Sequence, residues 1–172
     1  NLIGFDMGGT STDISLIEDG DPHITGEHYE AGWKISVPMI DIQTLGAGGG
    51  SLGRVDEGGT VHVGPQSAGA VPGPACYGRG GKLPTVTDAD VVLGYLDPDN
   101  FLGGRSALYP DLAEQSIQEH VAESLSLSSV EAASGIIHVV TTAMAERIRL
   151  LAVRRGDAGD ADVAADDLQI GF

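Results

Sequence analysis

Two segments dense in glycine and proline divide this chain into unlike parts. "LGAGGGS" (45–51) and "GPQSAGAVPGPACYGRGGKLP" (64–84) do not sustain regular structure, because Gly adds backbone freedom and Pro removes an amide donor. All regular elements must fall around them. A structureless stretch of about twenty residues is uncommon in a compact domain unless it serves a function. With ordinary sequence on both sides, residues 64–87 read as a functional loop.

The part before that loop reads as strands. "NLIGF" is short and apolar, and "DISLIEDG" alternates Ile14 and Leu16 before an Asp19-Gly20 turn. "HITGEHYEAGWKISVPMID" reads as a longer, partly alternating continuation, which makes residues 1–64 a β-meander. "SLGRVDEGGTVHVG" predicts a hairpin of Leu52–Val55 and Val61–Val63 closed by Glu57-Gly58-Gly59.

Residues 88–172 read as mainly helical. "TVTDADVVLGYL" predicts a short helix capped at Thr87 or Asp88 and ended by Gly94. In "YPDLAEQSIQEHVAESLSL", Leu112, Ile117, Val121 and Leu125 form one stripe behind Pro110, which suits a first helical position. Ser128 and Glu131 form a capping box ahead of a long helix that Gly156 should stop. Its stripe is Ile136, Val140, Ala143, Met144, Ile148 and Leu151. "LQIGF" (168–172) reads as a final strand. The fold class is α/β, with the α+β order of strands first and helices after, in one lobe of 172 residues.

Charge excludes some partners. With 25 Asp plus Glu against 9 Lys plus Arg, the formal net charge is -16, which speaks against a basic face for nucleic acid or anionic membrane. A salt-adapted surface and an ordinary acidic bias both account for it. Cys76 is the single cysteine, so neither an intrachain disulfide nor a cysteine-pair zinc motif exists, which fits a reducing cytoplasm. No run of 18 apolar residues predicts a membrane span.

The chemistry concentrates in "FDMGGTSTD" (5–13). Glycines at 8 and 9 permit positive φ, which lets successive N–H groups converge on an anion, and Thr10, Ser11 and Thr12 add hydroxyl donors. Asp6 is placed to hold hydrated Mg²⁺ against phosphates, and Asp13 to do the same or orient a water. A Gly-Gly hairpin turn with exposed hydroxyls explains the same residues, and composition does not separate the two. Neither GxxxxGK[ST] nor a GxGxxG opening a helix is present. Gly46, Gly48, Gly49 and Gly50 read either as a backbone nest for an anion or as a hinge.

These blocks resemble a known family. "GFDMGGTSTDISLI", "VPMIDIQTLGAGGGSLGRVDEGG", "VGPQSAGAVPGPACYGRGGKLPTVTDADVVLGYL" and "FLGG" are similar, in order, to blocks of the hydantoinase A / 5-oxoprolinase family, which includes N-methylhydantoinase and the acetone carboxylase β subunit. The resemblance implies an ATP-binding fold of the actin, sugar kinase and heat-shock chaperone superfamily, with two ribonuclease H-like lobes and nucleotide between them. It makes "DMGGTSTD" the second phosphate loop. It also implies ATP-dependent opening of a cyclic amide such as hydantoin or 5-oxoproline through phosphorylation of the amide oxygen, with a hydantoinase B-type partner subunit or domain. A carboxylase-type subunit and a non-catalytic assembly lobe are the alternatives. By the same resemblance, the chain is a piece of a longer polypeptide holding at most half a nucleotide site. Family members often carry His where Gln43 stands, and "RRGDAGDADVAADD" (154–167) is more acidic than the family pattern.

The remaining candidates keep two readings each. Arg79, a cation among glycines, is placed for a substrate carboxylate or phosphate, or for a structural ion pair. Asp41 is a cleft candidate, whereas an N-cap role explains Asp88. Cys76 is either a loop thiol near substrate or a small structural side chain. His23, His28, His62, His120 and His138 show no ligand-like pairing, and Trp33 reads as a core or lobe-contact residue.

Overall fold

The computed structural model describes residues 2–154. Gly156 and the strand expected at 168–172 lie outside the described residues. Strands come first and helices after, as the segment order predicts.

The first sheet is built on a hairpin of β1 (Leu2–Met7) and β2 (Thr12–Glu18). Its antiparallel register sets Met7 opposite Thr12 and Asp6 opposite Asp13. On its other edge β2 carries β3 (Asp21–Pro22) beside Ile17 and Glu18, and β8 (Ile42–Leu45) beside Thr12 through Ser15. The meander is therefore interrupted. Between β3 and β8 the chain makes an excursion in which β4 (Ile24–Thr25) pairs β7 (Met39–Ile40), and β5 (His28–Glu30) pairs β6 (Trp33–Ile35). Ala31 and Gly32, both at positive φ, turn this inner hairpin back on itself. Trp33 stands there 78% exposed, so its core reading fails; a β-ribbon with no layer over it has nothing to bury an indole against.

The second hairpin joins β9 (Ser51–Val55) to β10 (Val61–Ser67). Asp56 organises its turn, accepting the Gly58 and Thr60 amides on Oδ1, each at 2.9 Å. The strand runs four residues into the expected loop because a register shift between Val63 and Ser67 accommodates Gly64 and Pro65.

Helix α1 (Val86–Val92) starts earlier than the sequence suggests. Thr85 is its N-cap: the Thr85 hydroxyl accepts the Asp88 amide at 3.2 Å while the Asp88 carboxylate accepts the Thr85 amide at 2.9 Å. Asp88 is thus the third helical residue of a capping box, not the cap. Its carboxylate also accepts the Thr85 hydroxyl at 2.8 Å and the amides of Cys76 at 2.7 Å and Ala75 at 3.2 Å, clamping a 3-10 turn (Ala75–Tyr77) onto the helix.

Helix α2 (Pro110–Ile117) begins on Pro110 and widens into a π-helical turn (Gln118–Ala122) before α3 (Glu123–Leu125). Ile117 and Val121 of the expected stripe are buried, whereas Leu112 is exposed and Ala113, four positions before Ile117 on the same helical face, is buried in its place. Helix α4 (Ser129–Arg154) opens with the expected box, Ser128 N–H and Oγ–H donating to Glu131 Oε2 at 2.9 and 2.7 Å.

Helix α4 is the spine of the core. Ile136, Val140 and Met144 pack with Val86, Ala89, Ile117 and Val121, while Ile148 and Leu151 cover Ile14 and Leu16 of the first sheet. A Cβ on Gly53 would stand 2.9 Å from Ile136 Cδ1, so β9 approaches the helix closely only because that position is glycine. Among the described residues no single helix is long and apolar enough to cross a membrane.

Candidate functional site

The β1–β2 turn and the first glycine segment form one unit. Gly8 closes the turn by donating its amide to Ser11 O at 2.8 Å. The Gly49 and Gly50 amides then donate to the Gly8 and Gly9 carbonyls at 3.0 and 2.7 Å. Two readings are corrected by this. Neither Gly8 nor Gly9 adopts positive φ, because the carbonyls of this loop are oriented by outside donors. The Gly48–Gly50 segment is no free anion nest either, since the Gly48 amide donates to Ser51 Oγ at 2.8 Å and the next two amides serve the loop.

What this arrangement leaves open are the amides of Gly9, Thr10 and Ser11, which have no acceptor among the described residues. Gly48 keeps the space in front of two of them clear: a Cβ there would lie 2.9 Å from both Thr10 N and Ser11 N, and 2.4 Å from Gly8 O. Helix α1 fixes this support from below, as Thr87 donates both its amide and its hydroxyl to the Gly49 carbonyl, at 2.8 and 2.9 Å.

Thr12 is not part of the donor set. It is fully buried and its hydroxyl donates to Ala47 O at 2.7 Å, because β2 alternation turns it toward the core. The same alternation puts Asp6 and Asp13 together on the opposite face, where Asp13 Oδ1 accepts the Thr44 hydroxyl at 2.7 Å. Like charges directly opposed across a ladder are unfavourable, and a bound cation relieves that cost.

A cavity of about 340 Å³ opens at the loop tip. The loop contributes Met7, Gly8, Gly9 and Thr10 to it, and Gly49 and Gly50 flank them. The far wall is apolar, formed by Pro74, Tyr77, Leu96 and Phe101, with the Tyr77 and Phe101 rings 5.7 Å apart. Thus the glycine- and proline-rich loop does close on the phosphate-loop candidate, but neither Asp6 nor Asp13 lines the cavity.

A model of the hydantoinase/oxoprolinase family matches residues 1–163. The chain belongs to the hydantoinase/oxoprolinase family. It is 47% identical over 156 residues to caprolactamase subunit alpha of Pseudomonas jessenii, covering 91% of this chain and 22% of that protein. It is 44% identical to a 5-oxoprolinase of Pestalotiopsis fici, covering 91% of this chain and 13% of that protein. A nucleotide-free acetone carboxylase structure superposes with a TM-score of 0.80 at 34% identity, over 90% of this chain and 22% of that one. The chain therefore spans about a fifth or less of the length of these relatives.

Other candidates of this hydantoinase/oxoprolinase chain fall away from the cavity. Asp41 accepts a hydrogen bond from the Gln43 side-chain amide at 3.1 Å, and Gln43 in turn accepts from Arg147 at 3.1 Å. Gln43 is thus a tie between β8 and α4. Arg79 is exposed and lies over the Tyr77 ring, 5.7 Å from its centroid, at the rim and not in an ion pair with the loop. Cys76 is fully buried, and burial followed by the neighbouring Asp88 carboxylate pushes its thiol well above the usual range, which leaves only its structural reading.

Among the histidines, His23 pairs with Glu18, His62 with Asp56 at 2.7 Å, and His120 Nδ1 with the Ser116 carbonyl at 3.0 Å.

Two features escaped sequence reading. One is the aromatic wall, whose members are separated by a loop that carries no periodic signal. The other is Asp90, fully buried on α1 with both carboxylate oxygens unpaired; desolvation pushes its carboxyl up to about 7. Its setting in an apolar-looking "DADVV" helix was visible, but not its lack of a donor.

Proposed function

We propose that this chain supplies the second phosphate loop of an ATP-dependent enzyme that opens a cyclic amide such as hydantoin or 5-oxoproline. The observation that carries the reading is the set of unpaired Gly9, Thr10 and Ser11 amides, held in place by the Gly49 and Gly50 clamp. Backbone donors fixed in advance suit phosphate, and they are the form of anion recognition open to a chain of net charge -16. The opposed Asp6 and Asp13 carboxylates fit a hydrated Mg²⁺ beside those phosphates. When bound, ATP supplies the phosphoryl group that makes the amide carbonyl carbon electrophilic toward water. The chain's residues contribute position and charge to that step.

The same reading makes the chain one ribonuclease H-like lobe of an actin-like ATPase, with the rest of the nucleotide site on another lobe and a hydantoinase B-type partner completing hydrolysis. The caprolactamase and 5-oxoprolinase relatives support the amide chemistry. Likeness to acetone carboxylase supports a second reading, a carboxylase-type subunit that uses ATP to activate a ketone or bicarbonate. The reduced, buried Cys76 suits a cytoplasmic setting.

Phosphate release by the full-length protein separates these readings. Stimulation by hydantoin, 5-oxoproline or another lactam supports the amidohydrolase. Stimulation only by a ketone with bicarbonate overturns it in favour of the carboxylase.

A further inference from the structure

We infer that a second groove, between the 78–82 loop and helix α2, binds a zwitterionic ligand, a short amino acid that offers its carboxylate to Lys82 and its ammonium to Glu119. The ligand class follows from the groove's own walls. Only its source, the opened form of a lactam, rests on the amidohydrolase reading.

The groove has a volume of about 540 Å³ and shares no lining residue with the cavity at the loop tip. Its loop wall carries Gly80, Gly81 and Lys82, and its helix wall carries Glu119 and His120. The loop wall is a set of donors. Lys82 forms no ion pair among the described residues, and the Gly80 and Gly81 amides have no acceptor among them. Gly78 and Gly80 both adopt positive φ, as in the backbone nests whose neighbouring amides converge on an anion. Side chains at 78 and 81 would run into the Tyr109 ring and the Gly73 carbonyl, so this wall depends on its glycines.

The helix wall is a set of acceptors. Glu119 Oε1 accepts the Gln115 side-chain amide at 2.8 Å, which leaves Oε2 open. His120 Nδ1 lies 3.0 Å from the Ser116 carbonyl; a carbonyl only accepts, so Nδ1 carries the proton and Nε2 is left as an acceptor. Both residues belong to the π-helical turn, a form frequent at functional sites.

Donors on one wall and acceptors on the other fit a ligand of both signs. An anion alone meets the charge of Glu119, and a cation alone meets that of Lys82. Ala75 and Leu112 add apolar surface for the methylenes that join the two ends. When water opens a lactam its oxygen joins the carbonyl carbon, the ring C–N bond breaks and both protons of the water end on nitrogen. The product is a chain with a carboxylate at one end and an ammonium at the other, which is the class this groove fits.

The test is binding to the full-length protein, followed by calorimetry and saturation-transfer NMR, with 6-aminohexanoate as probe and hexanoate and hexylamine as analogues that each lack one charge. We expect 6-aminohexanoate to bind at least about tenfold more tightly than either analogue. Lys82→Glu and Glu119→Gln should each weaken it by about tenfold, and Lys82→Arg should retain it. Mg²⁺-ATP should not compete with it.

No binding of 6-aminohexanoate, equal binding of either analogue, an affinity unmoved by Lys82→Glu or by Glu119→Gln, or displacement by Mg²⁺-ATP overturns the inference. None of these outcomes touches the amidohydrolase reading, which lactam-stimulated phosphate release decides. Failure of that reading removes the opened lactam as the ligand's source and leaves the measured binding as it stands.

Discussion

Gly50 donates its amide to the Gly9 carbonyl at 2.7 Å, and a Cβ at Gly50 would stand at that same distance from the Gly9 oxygen. The glycines that geometry demands here are in the supporting segment. This reverses the emphasis of the motif, in which Gly8 and Gly9 draw the eye.

Gly48→Ala and Gly9→Ala should therefore behave differently. At Gly48 the new methyl meets backbone atoms at 2.4 and 2.9 Å, so we expect a loss of about 2–3 kcal/mol in stability and a loss of ATP affinity. At Gly9 a Cβ meets nothing within 4 Å, so stability should stay within about 0.5 kcal/mol of wild type. Any loss of ATP affinity in Gly9→Ala then reports on the ligand and not on the fold. Denaturant titration with and without Mg²⁺-ATP checks both.

Asp88→Ala should cost on the order of 3 kcal/mol or more, because the carboxylate serves Thr85, Cys76 and Ala75 in a buried setting and its removal leaves their donors unpaired. Asp88→Asn should lose less, keeping one acceptor oxygen. Thermal unfolding of the full-length variants measures the order.

Asp90 gives a pH signature. Its carboxyl is raised from 3.8 to about 7 by burial, so folding favours the protonated form. The contribution is complete below pH 3.8 and is lost as pH rises through 7. Asp90→Asn should flatten the stability profile across that window, and at pH 8 it should be more stable than wild type by about 1–3 kcal/mol. Unfolding curves at pH 5 and pH 8 decide this; an Asn variant that is less stable at both would contradict it.

Much of the fold was legible because it rests on local chemistry. The Ser128–Glu131 box, Pro110 at a first helical position and the 51–63 hairpin each announce themselves within a few residues. The α1 cap is expected two or three residues late although its box is local, because Thr85 ends a glycine-rich loop and Thr87 and Asp88 offer rival caps beside it. The other errors came where partners are far apart in sequence. The 24–40 excursion alternates weakly because it has no layer to bury against. For the site, the loop at 8–11 was legible from composition, but its clamp by Gly49 and Gly50 and its wall of Tyr77, Leu96 and Phe101 depend on chain crossings that no spacing encodes.

Cys76 should resist alkylation in the native state, since burial and the Asp88 carboxylate both oppose its thiolate. Peptide mapping after iodoacetamide at pH 8 should find it unmodified in folded protein and modified after denaturation. Rapid native labelling would place the thiol at an open surface and contradict the clamp.

The central claim is that the 6–13 hairpin holds the phosphates of ATP. Calorimetric titration of the full-length protein with Mg²⁺-ATP, wild type against Asp6→Ala with Asp41→Ala as control, tests it most directly. The account predicts at least a tenfold weaker affinity for Asp6→Ala and wild-type affinity for Asp41→Ala. Unchanged affinity in Asp6→Ala would make the hairpin a turn between strands and nothing more.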